Sequence, residues 1–235
     1  MTLIVILILS AGVAASIYWK KLTVSAAILG GVLGWLIYAG DGYGGLLILA
    51  AFFILGTLAT SWKKERKGAG LSGERRTAGQ VFANGGIAAI AGGGMLIFPS
   101  WHIPLSLAIA GSLASATADT LSSELGMVYG SRVYHVLTWK GGQRGENGMV
   151  SIEGLLIGVA GAVVIAGLYM LTAGGAWMPS FWIIVIAGFT GNLVDSVLGA
   201  VLERRGLLGN NAVNFFNTLA GGLVAGIAGS YFFLR

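Results

Sequence analysis

Apolar runs of about twenty residues recur along the whole chain, broken by short polar stretches. A helix needs about 20 mostly apolar residues to cross a bilayer. The pattern predicts eight such segments, at roughly 2–18, 22–39, 44–61, 78–98, 103–125, 152–173, 181–202 and 213–234. The breakers fall between them: Pro99 and Pro104 bracket one turn, and "GGAWMP" makes another. Trp101, Trp177 and Trp182 sit at segment edges, where indole rings favour the membrane interface. Lys20 and Lys21 follow the first run instead of preceding it, which argues against a signal peptide.

The expected fold is therefore an all-α, polytopic transmembrane bundle of about eight spans in a single integral membrane domain, 1–235. Segments 1–61 read as scaffold and 78–234 as the site-bearing part. Composition agrees. The chain is 56% hydrophobic and 10% charged, with a mean hydropathy of +0.84, whereas a soluble domain carries about 25% charged residues. There is no cysteine, which removes disulfides and thiolate ligands. Glycines at small-residue spacing (Gly30/Gly34, Gly154/Gly158, Gly222/Gly226) predict close helix packing.

Charge sets the topology. Lys20 and Lys21, the cluster Lys63, Lys64, Arg66, Lys67, Arg75 and Arg76, then Arg132, Lys140 and Arg144, and finally Arg204 and Arg205 occupy alternate loops. Of the 14 basic residues only Arg235 lies on the other side. The positive-inside rule makes those loops cytoplasmic and both termini non-cytoplasmic. In such a chain a net charge of +5 reports orientation, and no nucleic-acid partner is expected.

The polar residues of the last five segments gather at their cytoplasmic ends. Thr77, Gln80 and Asn84 share one helix face. Ser112, Ser115, Asp119, Ser122 and Ser123 leave the fifth segment. Asn147 and Ser151 enter the sixth. Asn192, Asp195, Gly199 and Glu203 leave the seventh, and Asn210, Asn214, Asn217 and Thr218 enter the eighth. The outer halves are almost wholly apolar. An Asp at a helix centre costs about 2.5–3.5 kcal/mol to insert, so Asp119 and Asp195 read as functional. Glu124 lies about 140° around the helix from Asp119 and need not share its ion. Glu153 suits a helix N-terminus. Glu65, Glu74 and Glu146 read as loop charges, Asp41 as structural, and His102 and His135 lack metal spacing. "ADTLSSELG" and "VDSVLGAVLE" echo one another, which suggests a duplicated helix pair. Oxygen donors without Cys or paired His suit Mg²⁺. Acids, amides and basic loops on one face match the needs of phosphoryl transfer, although no P-loop or kinase catalytic-loop sequence is present.

These motifs resemble the integral membrane proteins of domain-of-unknown-function family 92, which include transmembrane protein 19 and the plant phytyl-phosphate kinases. The residues carrying the likeness are "RTAGQVFANGG" (75–86 with its flank), "ASATADTLSSELG" (114–126), "GENGMVSIEGLLIG" (145–158), "GNLVDSVLGA" (191–200) and "NNAVNFFNTLAGG" (210–222). They keep the family's order. One stretch departs: "GQRGENGMVS" stands where Pro-Gly-Thr-Asn-Gly-Gly is expected, which leaves the donor preference open.

The resemblance implies a kinase at the inner face of the cell membrane. It would convert an isoprenyl monophosphate to the diphosphate with a nucleoside triphosphate, CTP in the first instance. Asp119, Asp195, Asn84, Asn147 and Asn217 are the expected catalytic residues. Asp119, Glu124 and Asp195 are the expected Mg²⁺ ligands. Arg75, Arg76, Gln80, Arg132, Lys140, Arg144, Ser122, Ser151, Asn192 and Asn214 are expected to contact phosphates or nucleotide. A CDP-lipid-type nucleotidyltransferase and a lipid or ion transporter are the alternatives. The oligomeric state is open.

Overall fold

The computed structural model describes residues 2–67, 75–173 and 178–233. Glu74, Trp177 and Arg235 lie outside them, as does the end of the eighth segment at 234. The fold is all-α, as expected. Its helices are α1 (Thr2–Tyr18), α2 (Val24–Ser61), α3 (Ala78–Ile97), α4 (His102–Tyr129), α5 (Ile152–Thr172), α6 (Met178–Leu198) and α7 (Asn210–Phe233). A single π turn, Gly199–Glu203, prolongs α6. Between α4 and α5 stands a small antiparallel ladder, β1 (Tyr134–His135) on β2 (Met149–Val150).

Five helical stretches are long and apolar enough to cross a membrane: Val24–Ser61, Ala78–Ile97, Ile152–Thr172, Met178–Glu203 and Asn210–Phe233. At 17 residues α1 is short of that length, and α4 is long but polar. Exposed apolar side chains ring the bundle, among them Ile28, Ile90, Leu156, Trp182 and Ile227. Such a surface belongs against lipid.

The expected segments 22–39 and 44–61 both fall in α2, which breaks between them. Gly42 has φ 67° and ψ −149°, a conformation in practice reserved for glycine. Residues 34 and 49 would stand about 22 Å apart on a straight helix. Instead, a Cβ placed on Gly34 would lie 3.4 Å from Leu49 Cδ2. The two halves therefore fold back on each other as an antiparallel pair.

Helix α4 is the hub. It packs against α2, α3, α5, α6 and α7, and every residue from Ser106 to Ala118 is buried. Ser, Ala and Gly along it allow backbone contact on several sides. A Cβ on Gly158 would lie 2.8 Å from Ala118 O, and one on Gly154 equally close to Ser122 O. The α4–α5 crossing thus depends on both glycines, as their spacing predicted. Leu107, Ile109, Leu113, Ile165 and Ile184 form the apolar core with Ile37 and Ile48. Above that core the polar ends of α3 to α7 meet.

Candidate functional site

Five helix ends surround one open cavity of about 490 Å³. Three are N-termini. Thr77 caps α3, with its Oγ1 accepting from Gln80 N and Gln80 Oε1 accepting from Thr77 N at 2.8 Å. Ser151 caps α5, its Oγ accepting from Gly154 N at 3.0 Å. Asn210 begins α7, and Asn214 Nδ2 donates back to Asn210 O at 3.0 Å. Gln80, Ser151, Asn210 and Asn214 all line the cavity. Helix N-termini carry partial positive charge and unpaired N–H groups, which suits phosphate. The other two ends are the C-terminal turns of α4 and α6, and they bring the acids.

The carboxyl groups of Asp119 and Asp195 both line the cavity and stand close enough to interact directly. They occupy matching positions of the "ADTLSSELG" and "VDSVLGAVLE" echo. Asn217 lies fully buried under the pair. Its Nδ2 donates to Asp195 Oδ1 at 3.5 Å, and Ser115 Oγ donates to its side-chain carbonyl. Ser115 also reaches Asn217 O at 3.1 Å. Asn217 is thus a floor residue, one step below the cavity wall. The π turn of α6 sets Glu203 on the same wall, where Ser196 and Gly199 also stand.

Two buried amide atoms on the wall have no hydrogen-bond partner among the described residues: Asn84 Oδ1 and Asn192 Nδ2. Asn84 is oriented by donating its Nδ2 to Gln80 O at 2.9 Å, which leaves its carbonyl unbonded. An unpaired buried polar atom costs about 1–3 kcal/mol, so both are ready for a ligand. Five carboxylates (Asp119, Glu124, Glu146, Asp195, Glu203) line the cavity against two guanidinium groups, Arg76 and Arg144. An anionic phosphate would enter such a site only with a cation. Asp119, Asp195 and Asn84 Oδ1 supply oxygen donors of the type a small hard dication prefers. Among the described residues no three of His, Cys, Asp and Glu are grouped to hold a metal alone. Mg²⁺ commonly takes one or two carboxylates and completes its shell with water and phosphate, so the residues fit it.

Glu124 lines the cavity but is already paired. Lys67 Nζ binds its Oε2 at 2.7 Å, and the same ammonium donates to Ala59 O at 2.6 Å. The lysine is 5% exposed. It seals the carbonyl end of α2, where a cation is favoured, and Glu124 neutralises it. Arg76 has no carboxylate within ion-pair range among the described residues. Its Nη2 donates to Thr60 Oγ1 at 3.4 Å. Its backbone is pinned: Arg76 N donates to Lys21 O at 3.0 Å and Thr23 N to Arg76 O at 3.1 Å.

Most expected residues therefore reach the cavity: Asp119, Asp195, Asn84, Asn147, Arg76, Gln80, Arg144, Ser122, Ser151, Asn192, Asn214 and Glu124. Arg75, Arg132 and Lys140 are exposed and are not among its lining. Thr60, Thr120, Ser123, Ser196, Asn210 and Glu203 line it without having been singled out as ligand contacts. The β1–β2 segment forms a roof, with Val133 and residues 144–151 on the wall. Gly148, at φ 79°, packs so closely on the π turn that a Cβ would lie 2.6 Å from Ala200 Cα. Asn147 is placed by that contact.

The family model described as integral membrane protein DUF92 matches residues 7–232. The chain is 32% identical over 194 residues to the uncharacterized membrane protein MJ0933 of Methanocaldococcus jannaschii, covering 82% of this chain and 79% of that one. It is also 32% identical over 213 residues to protein VTE6, chloroplastic, of Arabidopsis thaliana, covering 86% of this chain and 62% of the plant protein. Protein PGR of the same plant is 27% identical, with 98% and 97% covered. No solved structure matches the chain. With nearly its whole length matched, the chain belongs to the DUF92 family of integral membrane proteins.

Proposed function

We propose that this protein is a membrane kinase that transfers the γ-phosphoryl group of a nucleoside triphosphate to an isoprenyl monophosphate, giving the diphosphate. The observation that carries the proposal is the facing Asp119–Asp195 pair at the meeting of three helix N-termini. Carboxylates for a metal and N–H groups for phosphate come together there in one cavity. The plant phytyl-phosphate kinases are the branch of this family with a clear activity, so phytyl and geranylgeranyl phosphates are the first acceptors to test and CTP the first donor.

The topology belongs to the same proposal. Counting the two halves of α2 separately gives eight helical segments. The basic loops then share one face with the cavity, which opens to the cytoplasm at the cell membrane, and both termini face away.

The roles follow from position. Arg76 and Arg144, the two guanidinium groups of the cavity lining, hold phosphate oxygens. Asn192 Nδ2 donates to another, and the N-terminal ends of α3, α5 and α7 favour the negative charge. Asp119 and Asp195 would hold Mg²⁺, with Asn84 Oδ1 available as a neutral oxygen in the same cavity. When bound, Mg²⁺ neutralises phosphate oxygens and aligns donor with acceptor. An acceptor phosphate oxygen bonds to the γ-phosphorus as the bond to the β,γ-bridging oxygen breaks, and the nucleoside diphosphate leaves. The acceptor is already ionised, so no side chain has to remove a proton. The buried Ser115–Asn217 floor, with the core beneath it, favours a one-sided site over a transport path.

The test is a product assay. Purified protein in nanodiscs is given phytyl or geranylgeranyl phosphate, Mg²⁺ and each triphosphate in turn. Prenyl diphosphate and nucleoside diphosphate are the expected products. Pyrophosphate and a CDP-lipid would make it a nucleotidyltransferase, and no product with any pair from folded protein would sink the enzyme reading.

A further inference from the structure

A second cavity, of about 230 Å³, lies between α1, both halves of α2 and the start of α3. Its walls are apolar along most of their length, with Ile8, Leu9, Leu33, Leu49 and Phe52 among them. Arg76, Gln80 and Asn84 line this groove and the polar cavity alike. These three residues therefore stand between the two spaces, and the charged one, Arg76, has no carboxylate partner within ion-pair range among the described residues.

We infer that this groove holds the hydrocarbon chain of a single-chain isoprenyl phosphate, with its phosphate at Arg76 and its reacting oxygen turned toward Asp119 and Asp195. The inference rests on the kinase reading for the phosphate's destination, but the groove stands on its own geometry. An amphiphile bound here meets apolar side chains along its tail and a guanidinium at its head. The order matches: from Arg76 the groove runs beside α1 from Ser16 to Ile8, about 12 Å at helical rise, away from the carboxylates.

Size limits the occupant. A cavity of about 150 Å³ takes up one benzene. By that measure the groove takes about nine or ten carbons, or two isoprene units of one chain. The remainder of a phytyl tail would continue into lipid past the exposed Ile8 and Gly12. Small residues keep the groove open. A Cβ on Gly12 would meet nothing within 4 Å, and one on Gly30 would meet only Val81 Cγ1, at 3.9 Å. Larger side chains at these two positions would fill the space without forcing helices apart.

The experiment is photolabelling of the full-length protein in nanodiscs, which reads binding without turnover. The probe is geranylgeranyl phosphate carrying a diazirine in its first two isoprene units. Label is expected on α1, the first half of α2 and the start of α3. It should be displaced by phytyl phosphate but not by phytol or phosphatidic acid. Gly12→Leu and Gly30→Leu should each cut labelling at least fivefold. Arg76→Ala should do the same, and Gly167→Leu, an open position on α5, should leave it unchanged. Variants are compared only where melting temperature and elution match wild type. Where one leucine variant misfolds the other decides, and the position of the wild-type label decides if both do.

Label on the outer faces of α5 and α6 would overturn the groove and leave the kinase reading standing. So would displacement by phosphatidic acid as effective as by phytyl phosphate. Groove label from a protein that makes no diphosphate would keep the groove and sink the kinase. No saturable label anywhere would overturn both.

Discussion

Asp119 on α4 and Asp195 on α6 present their carboxyl groups to each other across the cavity floor, with Asn217 as the donor beneath Asp195. Two ionised carboxylates close together repel, and a cation between them would relieve the repulsion. Natural sites keep such a conflict where it serves binding. Asp119→Asn and Asp195→Asn should therefore raise thermal stability in metal-free buffer by a few degrees, since about 1 kcal/mol moves the melting point of a protein this size by 2–4 °C. Each should also lower diphosphate formation by at least about 10²-fold. The double variant should be little worse than either single, because the residues act as a unit. Melting and turnover measured on the same preparations check this. Loss of stability together with activity would mean that the pair is structural.

Magnesium should stabilise the wild type in proportion to occupancy, by about 2.7 kcal/mol at a hundredfold excess over the dissociation constant. EDTA should abolish the effect. Asp119→Asn and Asp195→Asn should lose the response, and Glu124→Gln should keep it. That contrast separates the facing pair from the acid bound to Lys67. A thermal shift series with Mg²⁺ and EDTA reads it directly. Equal loss in all three variants would return Glu124 to the metal.

Lys67 is nearly enclosed, touching Glu124 and the last carbonyls of α2. Lys67→Ala would strand the carboxylate and uncover those carbonyls. Glu124 is about a quarter exposed, so the loss should fall below the 3–5 kcal/mol of a fully buried pair, at about 1–3 kcal/mol. Lys67→Met with Glu124→Gln should recover part of it. Melting temperatures of the wild type, Lys67→Met, Glu124→Gln and the double variant form the cycle. A Glu124→Gln variant as inactive as Asp119→Asn but equally stable would give the acid a direct role.

The legible parts of this molecule were those with a period or a fixed local chemistry. Apolar runs marked each helix, and the gap between 39 and 44 fell on the reversal at Gly42. Helical spacing put Asn84, Asp119, Asn192 and Asp195 on the faces that now line one cavity. Gln80 and Ser151 were read as ligand contacts, yet both cap helices. Thr-x-x-Gln is itself a capping signature and could have been recognised. The Lys67–Glu124 pair joins residues 57 apart in sequence, a separation with no local signal. Two-residue strands have no alternation to detect, so the β1–β2 roof was invisible. Glu203 reaches the wall through a π turn, which a 3.6-residue projection misplaces.

Gly148 offers a test of that roof without touching a charged group. Its φ of 79° suits glycine, and its Cα packs against Ala200 on the π turn of α6. Gly148→Ala would strain the backbone by about 1–3 kcal/mol and push the loop from the wall that carries Glu203. Asn147 and Arg144 would shift with it, while Asp119 and Asp195, held by α4 and α6, would stay. The Mg²⁺-induced melting shift should therefore persist. The KM for the nucleotide should rise about tenfold, with a smaller change for the prenyl phosphate if its chain is held, as proposed, in the groove at α1 and α2. Steady-state kinetics varying each substrate, beside the thermal shift, distinguish the outcomes. Equal increases in both KM values with the metal response lost would mean that the roof holds the carboxylates as well, and that the site is one unit from β1 to α6.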